Sequence, residues 1–326
     1  MLLLPILCAA AVATGGCDRL PGTASPKTAF NAEAAMGYVR TQLDFGPRVP
    51  GTAGHRRTGD WIVAEMKKRT DSVIVQSWTH VTARGDTLPL RNIFARFNPS
   101  ATQRVLYVTH WDTRPTADED LNFGNRQLPI PGANDGAAGV ALLMALGDVF
   151  KATPPSMGVD LLFVDGEDWG DFGLYNDSNP RPDVLIGSTY FALHLPEPGY
   201  KPIFGVLWDM IGDADLQIYQ EEYSVSAAPE VVTRVWQAAA DLGYGKHFIR
   251  ETWGPITDDH VPLIRKAGMR VIDVIDIQYG KMGSNSGPGD YPDASNNYHH
   301  TLKDTIDKVS AKSLQIVGDV AVTLVK

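Results

Sequence analysis

The stretch LLFVDGEDWGDFG, residues 161–173, starts as a buried strand and ends in acids. Leu161, Leu162, Phe163 and Val164 form an unbroken apolar run, which suits a strand covered on both faces. Glu167 and Asp168 then stand side by side, and Asp171 follows shortly after. Open α/β sheets bind ligands outside the carboxyl ends of their strands, so this strand delivers charge where a site belongs.

Working outward, helical patterns lie near 31–43 and 54–68, and strand-like runs at 72–82 and 88–97. Strands at 105–109, 159–164, 203–208 and 270–275 then alternate with helices at 136–150, 186–194, 229–241 and 259–266. A last helix, 310–325, carries Leu314, Val317, Val320 or Ala321, and Leu324 on one stripe, so it should pack on the sheet. Alternation of this kind predicts an α/β fold whose mostly parallel central sheet is covered by helices on both faces. No repeat marks a solenoid, and 31–326 reads as a single catalytic domain. The stretch GKMGSNSGPGDYPDASNNY, 280–298, has no periodicity; a loop of that length just before two histidines reads as functional.

Composition narrows the class. Over 326 residues, 44% hydrophobic and 21% charged residues describe a globular protein. A net charge of −9 argues against nucleic acid as a partner. The start, MLLLPILCAAAVATGGC, is apolar over 2–12 and then small, which resembles a secretion signal over 1–17, although no Lys or Arg precedes the apolar run. Cys17, after Thr14, Gly15 and Gly16, looks like a bacterial lipoprotein cleavage site, with Thr14 where Leu is more usual. The expectation is export to the periplasm, free or as a membrane-anchored lipoprotein, with membrane contact only through a lipid on Cys17. Simple secretion with Cys17 idle is the alternative. Residues 18–30 are small and Pro-containing and read as a tether. Both cysteines, Cys8 and Cys17, fall in the leader, so any metal in the domain must be held by His and carboxylates.

Those residues collect at the strand ends. His110 and Asp112 follow one strand, Asp135 sits in GANDGAAG ahead of a helix, Glu167 and Asp168 follow the next, and Asp209 another. Asp258, Asp259 and His260 open a helix, and the long loop leads to His299 and His300. Each alone has a plain explanation: an Asp before a helix is usually an N-cap, and His55, His80, His194 and His247 read as surface or satisfied core residues. Together, so many acids would raise one another's pKa values, a conflict a divalent cation removes; mixed His and carboxylate ligands suit zinc. GANDGAAG lacks the Lys of a P-loop, so its glycines are expected to let backbone pass close to a metal and a helix pack tightly.

In order, FGPRVPGTAGH, HWDTRP, GANDGAAGV, FVDGEDWG, LWDMIGDADL, DDHVPLIRKAG and HHTLKDT resemble the zinc aminopeptidase and glutaminyl cyclase superfamily over roughly 40–310. The resemblance implies a zinc-exopeptidase-like three-layer αβα sandwich with a mixed, mostly parallel sheet. For an aminopeptidase it implies two zinc ions: His110 and Asp209 on one, Asp168 and His300 on the other, Asp135 bridging, and Glu167 as base. For a glutaminyl cyclase it implies one zinc on Asp135, Asp168 and His300, with His110 and Asp209 kept beside it. Aminopeptidases of the group usually read Ser-Asp-His where this chain reads Asp258-Asp259-His260, as the cyclases do. There the first Asp hydrogen-bonds the equivalent of Asp209, which would take Asp209 from a second metal. HWDTRP and EDWG also look like bacterial relatives of the animal cyclases.

The expected activity is therefore cyclisation of N-terminal Gln on peptides or proteins, with Glu167, Asp209 and Asp258 catalytic and one Zn²⁺ per chain; the alternative is a di-zinc aminopeptidase. Asp112 is expected to hold His110. Departures from the animal pattern are Asp168 where Glu stands, His299 where a pocket Trp stands, and Gly173 and Ser295 at other aromatic offsets. Trp169, Phe172, Trp253, Tyr298 and His299 are the candidates for the pocket wall.

Overall fold

The computed structural model describes residues 27–70, 72–176, 178, 183–279 and 296–326. The expected leader with Cys17, the first part of the tether and most of the long loop, Ser295 included, lie outside the described residues. Two helices, α1 (Ala32–Asp44) and α2 (Ala53–Lys67), precede a hairpin of β1 (Ser72–Val81) and β2 (Thr87–Phe97). Then come β3 (Arg104–His110), α3 (Ala137–Ala152), β4 (Gly158–Val164), α4 (Ile186–Leu193) and β5 (Phe204–Asp209). β6 (Ile218–Glu221), α5 (Glu222–Ala227), α6 (Pro229–Asp241), β7 (Phe248–Trp253), α7 (His260–Ala267), β8 (Val271–Ile275) and α8 (Ala311–Thr323) complete the chain.

The main sheet has the order β1-β2-β4-β3-β5-β8. β4, β3, β5 and β8 run parallel, while β2 pairs antiparallel with both β1 and β4, so the sheet is mixed. Alternation along each strand makes two cores. Val105, Tyr107, Leu161, Phe163, Val206 and Trp208 face one, with α1, α2, α3, α6 and α8. Leu106, Val108, Leu162, Val164 and Leu207 face the other, with α4 and α7. The expected stripe on α8 is buried, and the Tyr107 hydroxyl donates to Ala321 O at 2.7 Å. β3 connects towards β4 and β5 towards β8, so the connections diverge between β3 and β5 and leave a crevice at their carboxyl ends.

Three features differ from the sequence reading. The tether does not run to residue 30: Lys27 N and Thr28 N both donate to Asp319 at 3.0 Å, and Phe30 is buried against Gly318 of α8. β6 and β7 form a second, two-stranded parallel sheet, and α5 follows β6; neither was expected. They are short, and the middle of β7 is exposed, so neither strand carries a clear alternating pattern.

At the opposite edge from the crevice, Asp160 of β4 is fully buried and binds two guanidinium groups. Its Oδ2 accepts from Arg104 Nε at 2.7 Å and the Tyr200 hydroxyl at 2.8 Å, and its Oδ1 from Arg96 Nε at 3.3 Å. Asp160→Ala would strand Arg104, itself buried, without its counter-charge. The expected cost is about 3–5 kcal/mol, read as a lowered Tm or urea midpoint; a loss below about 1 kcal/mol would contradict this role.

Candidate active site

Four parallel strands bring their ends to the crevice, and the side chains that follow them converge. His110, the last residue of β3, points Nε2 at Asp209 Oδ1, 3.1 Å away at the end of β5, and at Asp135 Oδ1, 3.2 Å away. His300 points its Nε2 at Asp168 Oδ1, 3.3 Å away, and at Asp135 Oδ2, 3.7 Å away. Asp135 thus offers one oxygen to each histidine. Two sets of donor atoms, His110/Asp135/Asp209 and Asp135/Asp168/His300, each lie within 4.8 Å of one another, and all these residues are buried. Met210 and His300 hold left-handed backbone, φ 48° and 49°, the strained conformation that often marks functional positions.

The helix-cap explanation for Asp135 fails. α3 is capped by Gly136 with no side-chain bond, so the carboxylate stays in the crevice. The glycines of this loop act as expected: a Cβ on Gly136 would sit 2.6 Å from His110 Nε2, and one on Gly139 would sit 2.1 Å from Thr109 Oγ1.

Asp112 differs from expectation. Its oxygens accept from the backbone N–H groups of Glu167 at 3.1 Å and Asp168 at 3.2 Å, whereas His110 Nδ1 lies 3.7 Å away, beyond hydrogen-bond reach. It braces the acid-bearing loop rather than His110, because consecutive N–H groups match its two oxygens. The Asp209–Asp258 hydrogen bond is also not formed. Asp209 turns to His110, Asp258 Oδ1 accepts from Asp259 N, and Asp258 Oδ2 is buried with no hydrogen-bond partner.

Burial and like charge set the protonation states. Burial pushes the Glu167 carboxyl well above its usual range, helped by Asp168, Asp258 and Asp259 and opposed by His110. Asp258 is pushed up by burial and then by Asp209, and Asp259 is raised to about 7. Burial disfavours a charged His110, yet Asp209, Asp112 and Asp135 outweigh it and raise the imidazole well above 6.5. Asp135 is lowered: burial opposes this, but His110 and then His300 prevail.

A cavity of about 380 Å³ lies over these groups, lined by Asp135, Glu167, Asp209, Asp258 and His300. Met210, Ile256 and Ile275 give it an apolar wall; Phe172, Tyr279 and His299 give it aromatic ones. His299 lies between the rings of Tyr279, 4.2 Å away, and His300, 3.6 Å away, and its Nδ1 meets Glu119 Oε1 at 3.1 Å. Of the expected wall residues, Phe172 and His299 line this cavity and three do not. Trp169 points away, packing with Leu88, Leu90 and Ile186. Trp253 is buried behind the wall with Tyr219 and Met210. Tyr298 is fully buried, its hydroxyl donating to Asp213 and accepting from Asn134 Nδ2.

Several supporting residues escaped the sequence reading although their motifs were recognised. Arg48, fully buried, donates to the carbonyls of Trp111, Pro131, Gly132 and Asp135, at 2.6 to 3.1 Å; burial lowers its pKa to about 10. Arg114 Nη1 donates to Asp168 Oδ1 at 2.9 Å. His55 is the satisfied core residue expected, paired with Asp165 at 2.9 Å and stacked on Trp111. Asp304 accepts from Asn134 N at 2.8 Å and Asp135 N at 3.1 Å, fixing the segment that carries the Asp135 carboxylate. Asp304→Ala is therefore expected to weaken metal binding by about 10–100-fold in a chelator-competition titration, as removal of an outer-shell partner typically does. Unchanged affinity would show that the loop holds without it.

Residues 92–325 match the model of peptidase family M28. The chain belongs to peptidase family M28. It is 34% identical to the glutaminyl cyclase of Bacteroides thetaiotaomicron crystallised with N-acetylhistamine, with a TM-score of 0.82 over 91% of this chain and 97% of that one. It is 37% identical to the glutaminyl cyclase of Porphyromonas gingivalis, with a TM-score of 0.79 over 90% and 97%. It is 25% identical over 261 residues to the glutaminyl-peptide cyclotransferase of Drosophila melanogaster, covering 70% of this chain and 68% of that one. Structures described as zinc-dependent exopeptidases and as a leucine aminopeptidase precursor are comparably similar, so membership of M28 does not by itself choose the reaction. The aligned regions span 35–56% of the lengths of the first curated relatives the chain matches.

The M28 family implies zinc, and the residues present fit it. Asp135, Asp168 and His300 supply the oxygen and nitrogen donors zinc takes. Asp168 Oδ2 is buried without a hydrogen-bond partner, a costly state for a carboxylate unless a cation meets it.

Proposed function

We propose that this M28 protein is a glutaminyl-peptide cyclotransferase, converting an N-terminal Gln of peptides to pyroglutamate with release of ammonia. The observation that carries the reading is Asp258. It is buried in the same cavity as Glu167 and Asp209, and its carboxyl is pushed up by burial and by Asp209. Two coupled carboxyls in one cavity do not both ionise cheaply, so Asp258 is expected to keep its proton, and its unpartnered Oδ2 is then free to hydrogen-bond within the cavity. The His110/Asp135/Asp209 set supports a second reading, a di-zinc aminopeptidase. A Ser in place of Asp258 would suit that reading better.

Asp135, Asp168 and His300 would hold one zinc, which when bound supplies Lewis acidity towards the γ-carboxamide carbonyl. Glu167 accepts a proton from the α-amine as its nitrogen bonds to the side-chain carbonyl carbon, Cδ, and returns it to the amide nitrogen, whose bond to Cδ breaks as it leaves as ammonia. Its raised pKa suits both halves of that exchange. Asp209 and Asp258 orient the amine, and the walls of Met210, Ile256, Ile275 and Tyr279 exclude water that would hydrolyse rather than cyclise.

Asp258→Ser is expected to move zinc stoichiometry from one towards two per chain, measured by elemental analysis after dialysis. A variant that stays at one zinc would remove the support Asp258 gives. The activity is tested by detecting ammonia released from a Gln-peptide with a free C-terminus beside release of the first residue from a Leu-peptide: ammonia alone supports the cyclase, leucine alone overturns it.

A further inference from the structure

A second cavity adjoins the first. It is lined by the turn at 82–86, by Arg114, Pro115 and Thr116, by Trp169 to Asp171, and by Leu174 and Asp183. Arg114 and Asp171 line both cavities. The partition between them is held in place: Arg114 donates to Asp118 through Nε at 2.7 Å and Nη2 at 2.8 Å, and to Asp168 through Nη1. The far wall is fixed as well, since Asp183 accepts from Ala83 N at 2.8 Å and meets His80 Nε2 at 2.7 Å. That leaves a preformed trough beside the reacting centre, with Trp169, rejected as a wall of the first cavity, forming part of this one.

Resting on the cyclase reading, we propose that this second cavity receives the residues that follow the N-terminal Gln, and that Asp171 is the positioning residue at the junction. Arg114 and Asp171 are where the linings of the two cavities meet. An extended chain leaving past Asp171 and Arg114 enters the trough. The other trough acids are engaged: Asp183 with His80 and Ala83, Asp86 with Thr82. Asp171 Oδ1 accepts from Gly173 N at 2.8 Å, and its Oδ2 has no bond among the described residues. A carboxylate oxygen at a crossing of this kind is an acceptor for a substrate backbone N–H. Arg114 cannot serve as the acceptor, because a guanidinium carries only donors, three of which are engaged by Asp118 and Asp168. The substrate class is therefore peptides extended by at least two residues, rather than free glutamine or its amide.

The test compares Gln-amide with an uncharged four-residue Gln-peptide amide, on the wild-type chain and on Asp171→Ala and Asp171→Asn. The wild type is expected to favour the peptide by about tenfold or more in kcat/KM, chiefly through KM, the scale of one charge-assisted hydrogen bond. Asp171→Ala should lose most of that preference while turning over Gln-amide as the wild type does. Asp171→Asn keeps one acceptor oxygen for Gly173 N but places an NH2 donor where Oδ2 stood, so it should lose the preference as Asp171→Ala does while keeping the turn at Gly173. Equal kcat/KM for both substrates in the wild type, or a preference untouched in Asp171→Ala, would overturn the proposal. A fall in Gln-amide turnover in Asp171→Ala equal to the fall with peptide would also overturn it, because the residue would then serve the reacting centre. Release of the first residue in place of ammonia would instead defeat the cyclase reading; the same length series read on that release then decides the trough.

Discussion

Glu167→Gln is expected to lower turnover by about 10²–10⁴-fold, the usual worth of a positioned general acid–base group, while leaving the zinc content unchanged. The amide keeps the shape of the side chain, and the Glu167 backbone N–H that Asp112 accepts is unaffected. What is lost is the proton acceptor. Glu167 is not in either set of converging metal donors, so metal should stay; metal lost with activity would make it a ligand rather than a base. The pH profile gives a second check. A base must be ionised to act, so activity falls as pH drops through its pKa. With the carboxyl lifted above 4.5, the acid limb of kcat/KM should lie above pH 4.5, not at it. A limb at the ordinary glutamate value would contradict the burial argument.

His300→Ala is expected to remove both metal and activity, with turnover falling about 10³-fold or more as the Lewis acid is lost. This variant is cleaner than the corresponding change at Asp168. Asp168 accepts a 2.9 Å bond from Arg114, so its removal would leave a largely buried guanidinium short of a partner. Beyond its 3.3 Å approach to Asp168 and its stacking on His299, the His300 side chain makes only long approaches to Asp118, Glu119 and Asp135, at 3.8, 3.6 and 3.7 Å, and Ala inherits the left-handed backbone that His already bears. The expected signature is loss of zinc by elemental analysis with a Tm close to that of metal-stripped wild type. Full zinc occupancy in His300→Ala would mean that the other set, His110/Asp135/Asp209, is the resident site.

The main sheet was legible because its strands are apolar runs that a helix-length segment separates, and burial on both faces leaves that pattern in the residues themselves. The converging acids were legible for a related reason: strand ends in a parallel sheet share one edge, so residues far apart in sequence are placed together by topology alone. What was not legible is direction. Asp168 and Trp169 are neighbours, yet one turns to His300 and Asp135 in the donor set and the other towards Leu88 and Leu90. Tyr298 sits beside two histidines of the site and is consumed by Asp213 and Asn134. Arg48 and Asp304 act through backbone groups, and a carbonyl or N–H that needs a partner leaves no mark in the sequence around it. β6 is too short and the middle of β7 too exposed to show alternation, although Glu221 at the end of β6 accepts from Ile256 N at 3.0 Å and so fixes the approach to Asp258.

The measurement that tests the account most directly is the mass of a short Gln-initiated peptide after incubation with the zinc-loaded chain. Loss of one ammonia from an otherwise intact peptide, absent in Glu167→Gln, is the result predicted for a cyclase acting through Glu167 and Asp258. Free glutamine with a peptide shortened by its first residue would contradict it, and would assign the same carboxylates to hydrolysis.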